Sequence, residues 1–174
     1  MTAASRAPVV EPPNPEPQGE VLRLFAEEST ALYRFCRSLL RTPEEAEDVV
    51  QDAFLKLLSH LRRDGDRRNL RAWLFTVAAN SCRDRLRSRW RWLPWSAESD
   101  SRTVTPPEEG VDRAPARRAL AALPPRDRLL LSLRAQGLSY AEMAAATGIR
   151  PGSIGRLLAR AVDRWKREAG KRQD

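Results

Sequence analysis

Residues 138–168 read LSYAEMAAATGIRPGSIGRLLARAVDRWKRE and predict two helices joined by a short turn. Ser139 and Glu142 have the spacing of a capping box. Gly148 is typical of a helix end, and Pro151 fits the first turn of the next helix. From Ser153 onward, apolar residues recur at helical spacing with arginines between them. This pattern favours a helix–turn–helix that places a basic helix in the DNA major groove, although a helical hairpin with a solvated basic face has the same pattern.

The charge of the chain also favours a polyanionic partner. The 174 residues contain 31 Lys and Arg against 23 Asp and Glu, a net charge of +8, which suits nucleic acid or an acidic membrane surface. The distribution is uneven: residues 43–52 hold five acids and no base, residues 62–91 hold ten arginines against three acids, and residues 150–172 hold eight basic residues against two acids. One acidic segment between two basic ones indicates two kinds of partner.

Several functional classes are excluded by composition. Cys36, Cys82 and His60 are the only cysteines and histidine, too few for a zinc site or a disulfide framework, so we expect two buried free thiols and no metal. No nucleophile–base pairing or carboxylate cluster suggests an enzyme, and no cofactor motif is present. No apolar run reaches the length of a membrane span, and the N-terminus lacks the apolar core of a signal peptide. We expect a soluble, cytoplasmic, non-enzymatic protein.

The chain divides into four segments of different composition. Residues 1–19 contain five prolines and predict a disordered tail, and residues 93–114 have the Ser-, Pro- and acid-rich composition of a flexible linker. Residues 20–92 and 115–174 have helical patterns without strand alternation. The predicted fold is all-α, with two small helical domains joined by a flexible linker.

A strong helix start at Thr42-Pro43-Glu44-Glu45 opens the clearest helix of the first domain. Behind it, one apolar stripe predicts the core: Ala46, Val49, Val50, Ala53, Phe54, Leu57, Leu58 and Leu61. At 100° per residue the opposite face collects Glu47, Asp48, Gln51, Asp52 and Leu55. An acidic, amide-bearing face around one leucine is typical of a protein-docking surface, although plain solvent-facing residues remain an alternative.

The next helix, NLRAWLFTVAANSCRDRLRSRWRW, is basic on its outer side. Residues of its inner side predict core contacts: Leu70, Trp73, Leu74, Val77, Ala78, Cys82 and Leu86. Arginines at this density suit phosphates, and Asn80 could contact a base edge, although a solvated basic face is the alternative. The neighbouring loop adds Arg62, Arg63, Arg67 and Arg68, which favours DNA. The end of this helix carries three tryptophans, Trp90, Trp92 and Trp95. They could stack on bases, dock a protein or lie at a membrane interface. We favour a fourth alternative, in which they close a hydrophobic cluster.

Three blocks in order resemble bacterial sigma factors of the extracytoplasmic-function (ECF) group, in the sigma-70 family. They are EEAEDVVQDAFLKLL (44–58), NLRAWLFTVAANSCRDRLRSR (69–89) and ALAALPPRDRLLLSLRAQGLSYAEMAAATGIRPGSIGRLLARA (119–161). The resemblance covers about 150 residues and implies a factor that binds core RNA polymerase and directs promoter recognition, DNA melting and transcription initiation. Residues 20–92 then correspond to sigma region 2, a helical bundle, and residues 115–174 to sigma region 4, a helix–turn–helix domain.

The resemblance also implies a role for individual residues. Contacts with the polymerase β′ clamp helices fall on Asp48, Gln51, Asp52 and Leu55. The family binds and melts the −10 element and flips one base from the non-template strand. The residues that the resemblance assigns to this role are Arg63, Arg67, Arg68, Asn80, Arg83, Asp84 and Arg87. Contacts with the −35 element fall on Arg150, Ser153, Gly155, Arg156, Arg160 and Arg164. Further implied partners are the polymerase β flap and an anti-sigma factor.

This chain departs from the family pattern at three places. The loop RRDGDRRNL (62–70) lacks the aromatic residue that is common there. Arg150 stands where a capping Ser or Thr is usual, and Gly155 and Leu157 stand where Lys and Arg are usual. The departures indicate an uncommon promoter sequence. The alternative function is a stand-alone dimeric helix–turn–helix regulator, which leaves the acidic face and the first basic helix without a role.

Overall fold

The computed structural model describes residues 16–89 and 114–171, and within these ranges the chain forms helices and no strands. The helices are α1 (Pro17–Leu39), α2 (Pro43–Arg62), α3 (Leu70–Arg89), α4 (Ala114–Ala121), α5 (Pro125–Ala135), α6 (Tyr140–Thr147) and α7 (Pro151–Gly170). Helix α1 thus includes the last residues of the predicted tail, and α4 begins at the last residue of the predicted linker. The rest of these two segments and Trp90, Trp92 and Trp95 lie outside the described residues.

Local signals start and stop the helices as the sequence predicts. Thr42 accepts a hydrogen bond from the Glu45 backbone N–H, and the Glu45 carboxylate accepts one from the Thr42 backbone N–H, which completes a capping box at α2. Ser139 and Glu142 form the same arrangement at α6. Each cap contributes about 1 kcal/mol. Gly148 ends α6 in the left-handed region at φ 72°, which glycine adopts without steric cost.

Helices α1, α2 and α3 form the N-terminal module around one apolar core. Of the predicted α2 stripe every residue is buried except Leu58, which is half-buried at the edge of a groove. Phe35 of α1 and Phe75 of α3 meet edge to face with ring centroids 5.5 Å apart. Cys36 and Cys82 are buried free thiols, as predicted. A hydrogen bond with Cys36, together with burial, raises the pKa of Cys82 well above its usual value of 9.0.

Helices α4 to α7 form the C-terminal module, in which α4, α5 and α6 all contact α7. Arg128 is buried in α5 and donates hydrogen bonds to the carbonyls of Ala121 and Leu123 at 2.5 and 2.9 Å, so it holds the end of α4. Burial lowers the pKa of this guanidinium well below its usual range, to about 10. It is still protonated at neutral pH and able to donate both bonds.

The two modules pack against each other, which the sequence did not predict. Helix α3 lies against α6, and α1 lies against α5, so one continuous set of buried apolar residues runs through both modules. Polar contacts cross the interface as well: the Ser38 and Ser132 hydroxyls are 2.9 Å apart, and the Arg71 guanidinium donates to the Gln136 carbonyl at 2.7 Å. The Asn69 amide donates to the Glu142 carboxylate. Helix α3 is therefore covered on two sides.

Candidate functional site

The acidic face of α2 comprises five exposed residues, as the helical period predicted: Glu47, Asp48, Gln51, Asp52 and Leu55. Arg85 of α3 lies beside it, with Nη1 at 3.4 Å from Asp48 Oδ2 and Nη2 at 3.9 Å from Asp52 Oδ2. A guanidinium between two carboxylates offsets their mutual repulsion. The face therefore combines ordered negative charge with an apolar centre, since the Leu55 side chain is 57% exposed.

An apolar groove between α1 and α2 borders the acidic face. It has a volume of about 600 Å³ and shares Glu47, Gln51 and Leu55 with that face; its other walls are Val21, Phe25, Ser29, Thr30, Tyr33, Val50, Phe54 and Leu58. Leu22 beside it is 70% exposed. Large exposed apolar side chains around a groove mark a contact surface. This contribution of α1 was not predicted; the available signal in the sequence was the pair Leu22 and Phe25, three residues apart on a helix.

The loop of residues 63–69 between α2 and α3 has a defined shape. Asp64 and Asn69 lie in the left-handed region, with φ of 53° and 59°. The Asp66 carboxylate accepts hydrogen bonds from the Arg68 backbone N–H at 2.9 Å and from Arg68 Nε and Nη2 at 3.0 and 2.7 Å. These side-chain and backbone bonds from Arg68 lower the pKa of Asp66 from its usual 3.8 to about 2. The Asp66–Arg68 pair is therefore fully ionised at neutral pH.

The three loop arginines expected at the −10 element are not equivalent. Arg63 is exposed and the Arg68 side chain is 91% exposed, so both face solvent. Arg67 instead turns back and forms an ion pair with Glu20 of α1, where both side chains are largely buried. Arg67 therefore ties the loop to α1 in this conformation, and the loop presents Arg63 and Arg68 outward.

The polar side of α3 lies partly against the C-terminal module. Asn80 Oδ1 accepts a hydrogen bond from Arg83 Nη2 at 2.8 Å, and Arg83 Nη1 donates to the Thr147 carbonyl at 3.0 Å. Asn80 and Arg83 are half-buried, whereas Asp84 and Arg87 are exposed. The structure thus joins Asn80 and Arg83 in one hydrogen-bonded pair and separates them from the loop arginines, which precede the first residue of α3.

The helix–turn–helix consists of α6, the turn 148–150 and α7. Three residues of the expected −35 set are exposed: Arg150, Arg156 and Arg160. Ser153 and Gly155 are half-buried, and Gly155 faces Tyr140, whose ring would lie 3.4 Å from a Cβ at that position. Arg150 at the N-cap of α7 supplies no side-chain cap. The Ser153 backbone N–H instead donates to the Arg150 carbonyl at 2.9 Å, and Pro151 at the first helical position has no N–H to satisfy.

Arg164, the last member of that set, is engaged within the module. Its Nη1 donates to Asp127 Oδ2 at 2.8 Å, and Arg126 Nε lies 3.3 Å from Asp127 Oδ1. The Asp127 side chain is only 1% exposed, so two arginines neutralise a buried carboxylate. This ion pair connects α5 to α7 and fixes the position of Arg164 at the edge of the basic surface.

Comparisons with known proteins match both modules. The model of Sigma-70 region 2 matches residues 24–91, and that of Sigma-70, region 4 matches residues 113–164. The chain is 34% identical over 153 residues to the ECF RNA polymerase sigma factor SigM of Mycobacterium tuberculosis, an alignment that covers 85% of this chain and 76% of SigM. The chain belongs to the ECF RNA polymerase sigma factors. It is also 32% identical over 138 residues to the sigma factor CarQ of Myxococcus xanthus, covering 75% of this chain and 78% of CarQ.

Two solved structures resemble this sigma factor. The sigma factor RpoE in complex with the anti-sigma factor NepR from Bartonella quintana matches with a TM-score of 0.67 and 29% identity, over 86% of this chain and 96% of that one. CnrH in complex with the cytosolic domain of CnrY matches with a TM-score of 0.62 and 27% identity, over 86% and 87%. As a sigma factor, the protein directs transcription initiation. Matches to both modules do not favour a stand-alone dimeric regulator.

Within residues 16–89 and 114–171, none of the helices combines the length and the apolar character that a membrane span requires.

Proposed function

We propose that this sigma factor binds core RNA polymerase through the acidic face of α2 and the adjoining apolar groove. The observation that carries the proposal is the exposure of Asp48, Gln51, Asp52 and Leu55 on one ordered face. Carboxylates around an apolar centre suit a basic partner helix, because charge steers the encounter while Leu55 and the groove lose their contact with water. The partner implied by the family resemblance is the pair of clamp helices of the β′ subunit.

The promoter is then contacted at two separate surfaces. The loop of residues 63–69 and the polar side of α3 bind the −10 element, and α7 binds the −35 element through Arg150, Arg156 and Arg160. Unstacking a base costs a few kcal/mol, and this chain offers contacts to the freed strand instead of nucleotide hydrolysis. Arginine contacts with phosphates supply much of the affinity, so promoter binding is strongly salt-dependent.

The closed packing of the two modules has a consequence for this role. Asn80 and Arg83 are half-buried beside α6, and DNA cannot reach a surface that the C-terminal module covers. The modules therefore separate when the −10 element is bound, and the segment between them spans the polymerase. The C-terminal module then contacts the polymerase β flap in addition to the −35 DNA.

The proposal extends to regulation and location. One resembling structure contains the sigma factor RpoE bound to the anti-sigma factor NepR, and the other contains CnrH bound to the cytosolic domain of CnrY, which supports an anti-sigma factor for this chain as well. Its site of action is the cytoplasm, where the polymerase and the promoter DNA are found. The protein acts as a binding factor without enzymatic activity of its own and without a cofactor.

The experiment that tests the proposal combines binding with transcription. Purified protein is mixed with core RNA polymerase of the same organism, the complex is isolated, and run-off transcription is measured on a fragmented genomic library. We expect a stable complex and transcripts that share one pair of upstream elements. The departures at the loop, Arg150, Gly155 and Leu157 predict that this pair differs from the common ECF promoter.

Two results would overturn the proposal. One is folded protein, free of any inhibitor, that fails to associate with core polymerase. The other is binding to a two-fold symmetric DNA site without polymerase and without transcripts, which would favour the dimeric regulator.

A further inference from the structure

The loop of residues 63–69 is held from inside by the one histidine of the chain. His60 Nε2 lies 2.9 Å from the backbone oxygen of Asp66, at the middle of the loop. Because that oxygen can only accept, Nε2 carries the proton. The imidazole also stacks on the Trp73 indole, with ring centroids 4.7 Å apart. The ring is thus fixed by α3 on one side and fixes the loop on the other.

The backbone of His60 shapes the same loop. Its carbonyl accepts hydrogen bonds from the N–H groups of Arg63 and Gly65, at 3.2 and 2.9 Å. The imidazole occupies the space next to Gly65, where an added Cβ would overlap the ring. The backbone of Gly65 does not lie in the left-handed region. The position therefore needs glycine because of the His60 ring and not because of its dihedral angles.

We propose that His60 is a positioning residue for promoter melting, which holds loop 63–69 so that Arg63 and Arg68 meet the unpaired non-template strand. This inference rests on the proposed role of the loop at the −10 element. His60 itself is half-buried, and its proposed role is to hold the loop and not to touch the DNA. It acts through the Asp66 carbonyl, and the Asp66–Arg68 ion pair transmits the loop position to the exposed guanidinium.

The hydrogen bond from His60 to the Asp66 carbonyl and the stacking on Trp73 predict which substitutions still hold the loop. Glutamine at position 60 keeps an N–H donor at a reach similar to that of Nε2, so His60→Gln preserves the bond to Asp66. Phenylalanine keeps the stacking on Trp73 and removes the donor. Gly65→Ala pushes the ring away from both partners. In a chain that already carries His60→Ala, the same Gly65→Ala change meets no ring and has no further effect.

The test uses holoenzyme assembled from these variants and a promoter isolated as described under Proposed function. Three affinities are measured: for core polymerase, for the −35 duplex, and for the single-stranded non-template −10 oligonucleotide. We expect His60→Ala, His60→Phe and Gly65→Ala each to weaken oligonucleotide binding at least about tenfold, which corresponds to about 1.4 kcal/mol. Binding to core polymerase and to the −35 duplex stays unchanged, His60→Gln stays within about threefold of the native protein, and the double variant equals His60→Ala.

Several outcomes would overturn the inference. Unchanged oligonucleotide binding in His60→Ala would exclude the positioning role. A parallel loss of all three affinities with a lowered melting temperature would make His60 a structural residue only. Additive losses of oligonucleotide affinity in the double variant would show that Gly65 acts independently of the His60 ring. If the native holoenzyme binds no promoter, the proposed function itself is wrong. If the native holoenzyme binds the promoter and the variants bind it equally well, only the role of His60 is wrong.

Discussion

Asp52 lies on the exposed side of α2, with its carboxylate 3.9 Å from the Arg85 guanidinium. We expect Asp52→Arg to weaken binding to core polymerase at least about tenfold, because the new cation faces a basic partner and also repels Arg85. The helix itself is retained, since arginine is a good helix former and the position is exposed. Titration of labelled protein with core polymerase, together with circular dichroism, measures both effects.

Glu27→Arg is the matched control at the residue scale. The Glu27 side chain is 50% exposed against 54% for that of Asp52, and it makes a comparable surface ion pair, with Arg23. Glu27 lies on the side of α1 that faces away from the groove, so polymerase affinity stays within about twofold. Equal losses in the two variants would show that the polymerase responds to net charge alone and would contradict the assignment of the acidic face.

The residues of α2 could be predicted because that helix is amphipathic. One apolar stripe packs into the core, so the opposite residues are exposed and the 100° period is sufficient to find them. Helix α3 did not follow this rule. Ala72, Phe75 and Ala79 are buried beyond the predicted core set, since α6 packs against α3 in addition to α1 and α2, and Phe75 meets Phe35 of α1. The apolar run AWLFTVAA was the signal, because a helix that is apolar all round is buried on more than one side.

At the scale of elements, the cap of α6 links helix stability to pH. Hydrogen bonds from the Ser139 backbone N–H and hydroxyl, with a further one from Asn69, lower the pKa of Glu142 below its usual 4.5. A lowered folded pKa means that the carboxylate stabilises the fold at pH above 4.5, and that this contribution is lost as the pH falls through the folded value. Acid therefore weakens both the cap and the contact between modules.

Glu142→Gln is expected to remove this part of the acid sensitivity. At pH 7 the variant keeps the capping bond, because a glutamine oxygen also accepts from the Ser139 N–H, and it loses only the contribution of the charge, about 0.5 kcal/mol, which lowers the melting temperature by roughly 1–2 °C. Between pH 5 and pH 3 its melting temperature then falls less than that of the native protein, because its amide does not titrate. Thermal unfolding at several pH values measures the difference; parallel curves for the two proteins would contradict the role of Glu142.

Helix α7 carries a second prediction at this scale. Arg160 is exposed on the helix that we propose for the −35 element. We expect Arg160→Ala to weaken holoenzyme binding to a −35 duplex about five- to tenfold and to reduce the slope of log affinity against log salt by about 0.9, the value for one lost phosphate contact. Binding is measured by anisotropy at several salt concentrations.

Lys166→Ala is the control for Arg160. It removes one exposed positive charge from the same helix, about 120° away around its axis. Its affinity and salt slope remain those of the native holoenzyme if DNA contacts only the side of α7 that carries Arg160. Equal effects of both substitutions would indicate unspecific attraction by the whole basic helix.

At the scale of the molecule, the sequence predicted two helical domains and their order, and the local caps predicted where α2, α6 and α7 begin. It did not predict that the domains share one buried core. Contacts such as Ser38 with Ser132 join residues far apart in the chain, between side chains that have no periodic pattern of their own. Packing between modules depends on the surface shapes of both folded modules, and local patterns in one sequence do not predict those shapes.

The closed packing yields a prediction that tests whether the modules must separate. The hydroxyl oxygens of Ser38 and Ser132 are 2.9 Å apart, so Ser38→Cys with Ser132→Cys places two sulfurs within reach of a disulfide. We expect the oxidised protein to keep α1 against α5 and Asn80 and Arg83 beneath α6. Open-complex formation at the promoter then falls at least about tenfold and returns when reductant cleaves the bond. Each single variant is the control under oxidising conditions, because Cys36 and Cys82 are buried and remain in all forms. If the cross-linked protein, verified by mass spectrometry, melts the promoter as well as its reduced form, the modules act without separating.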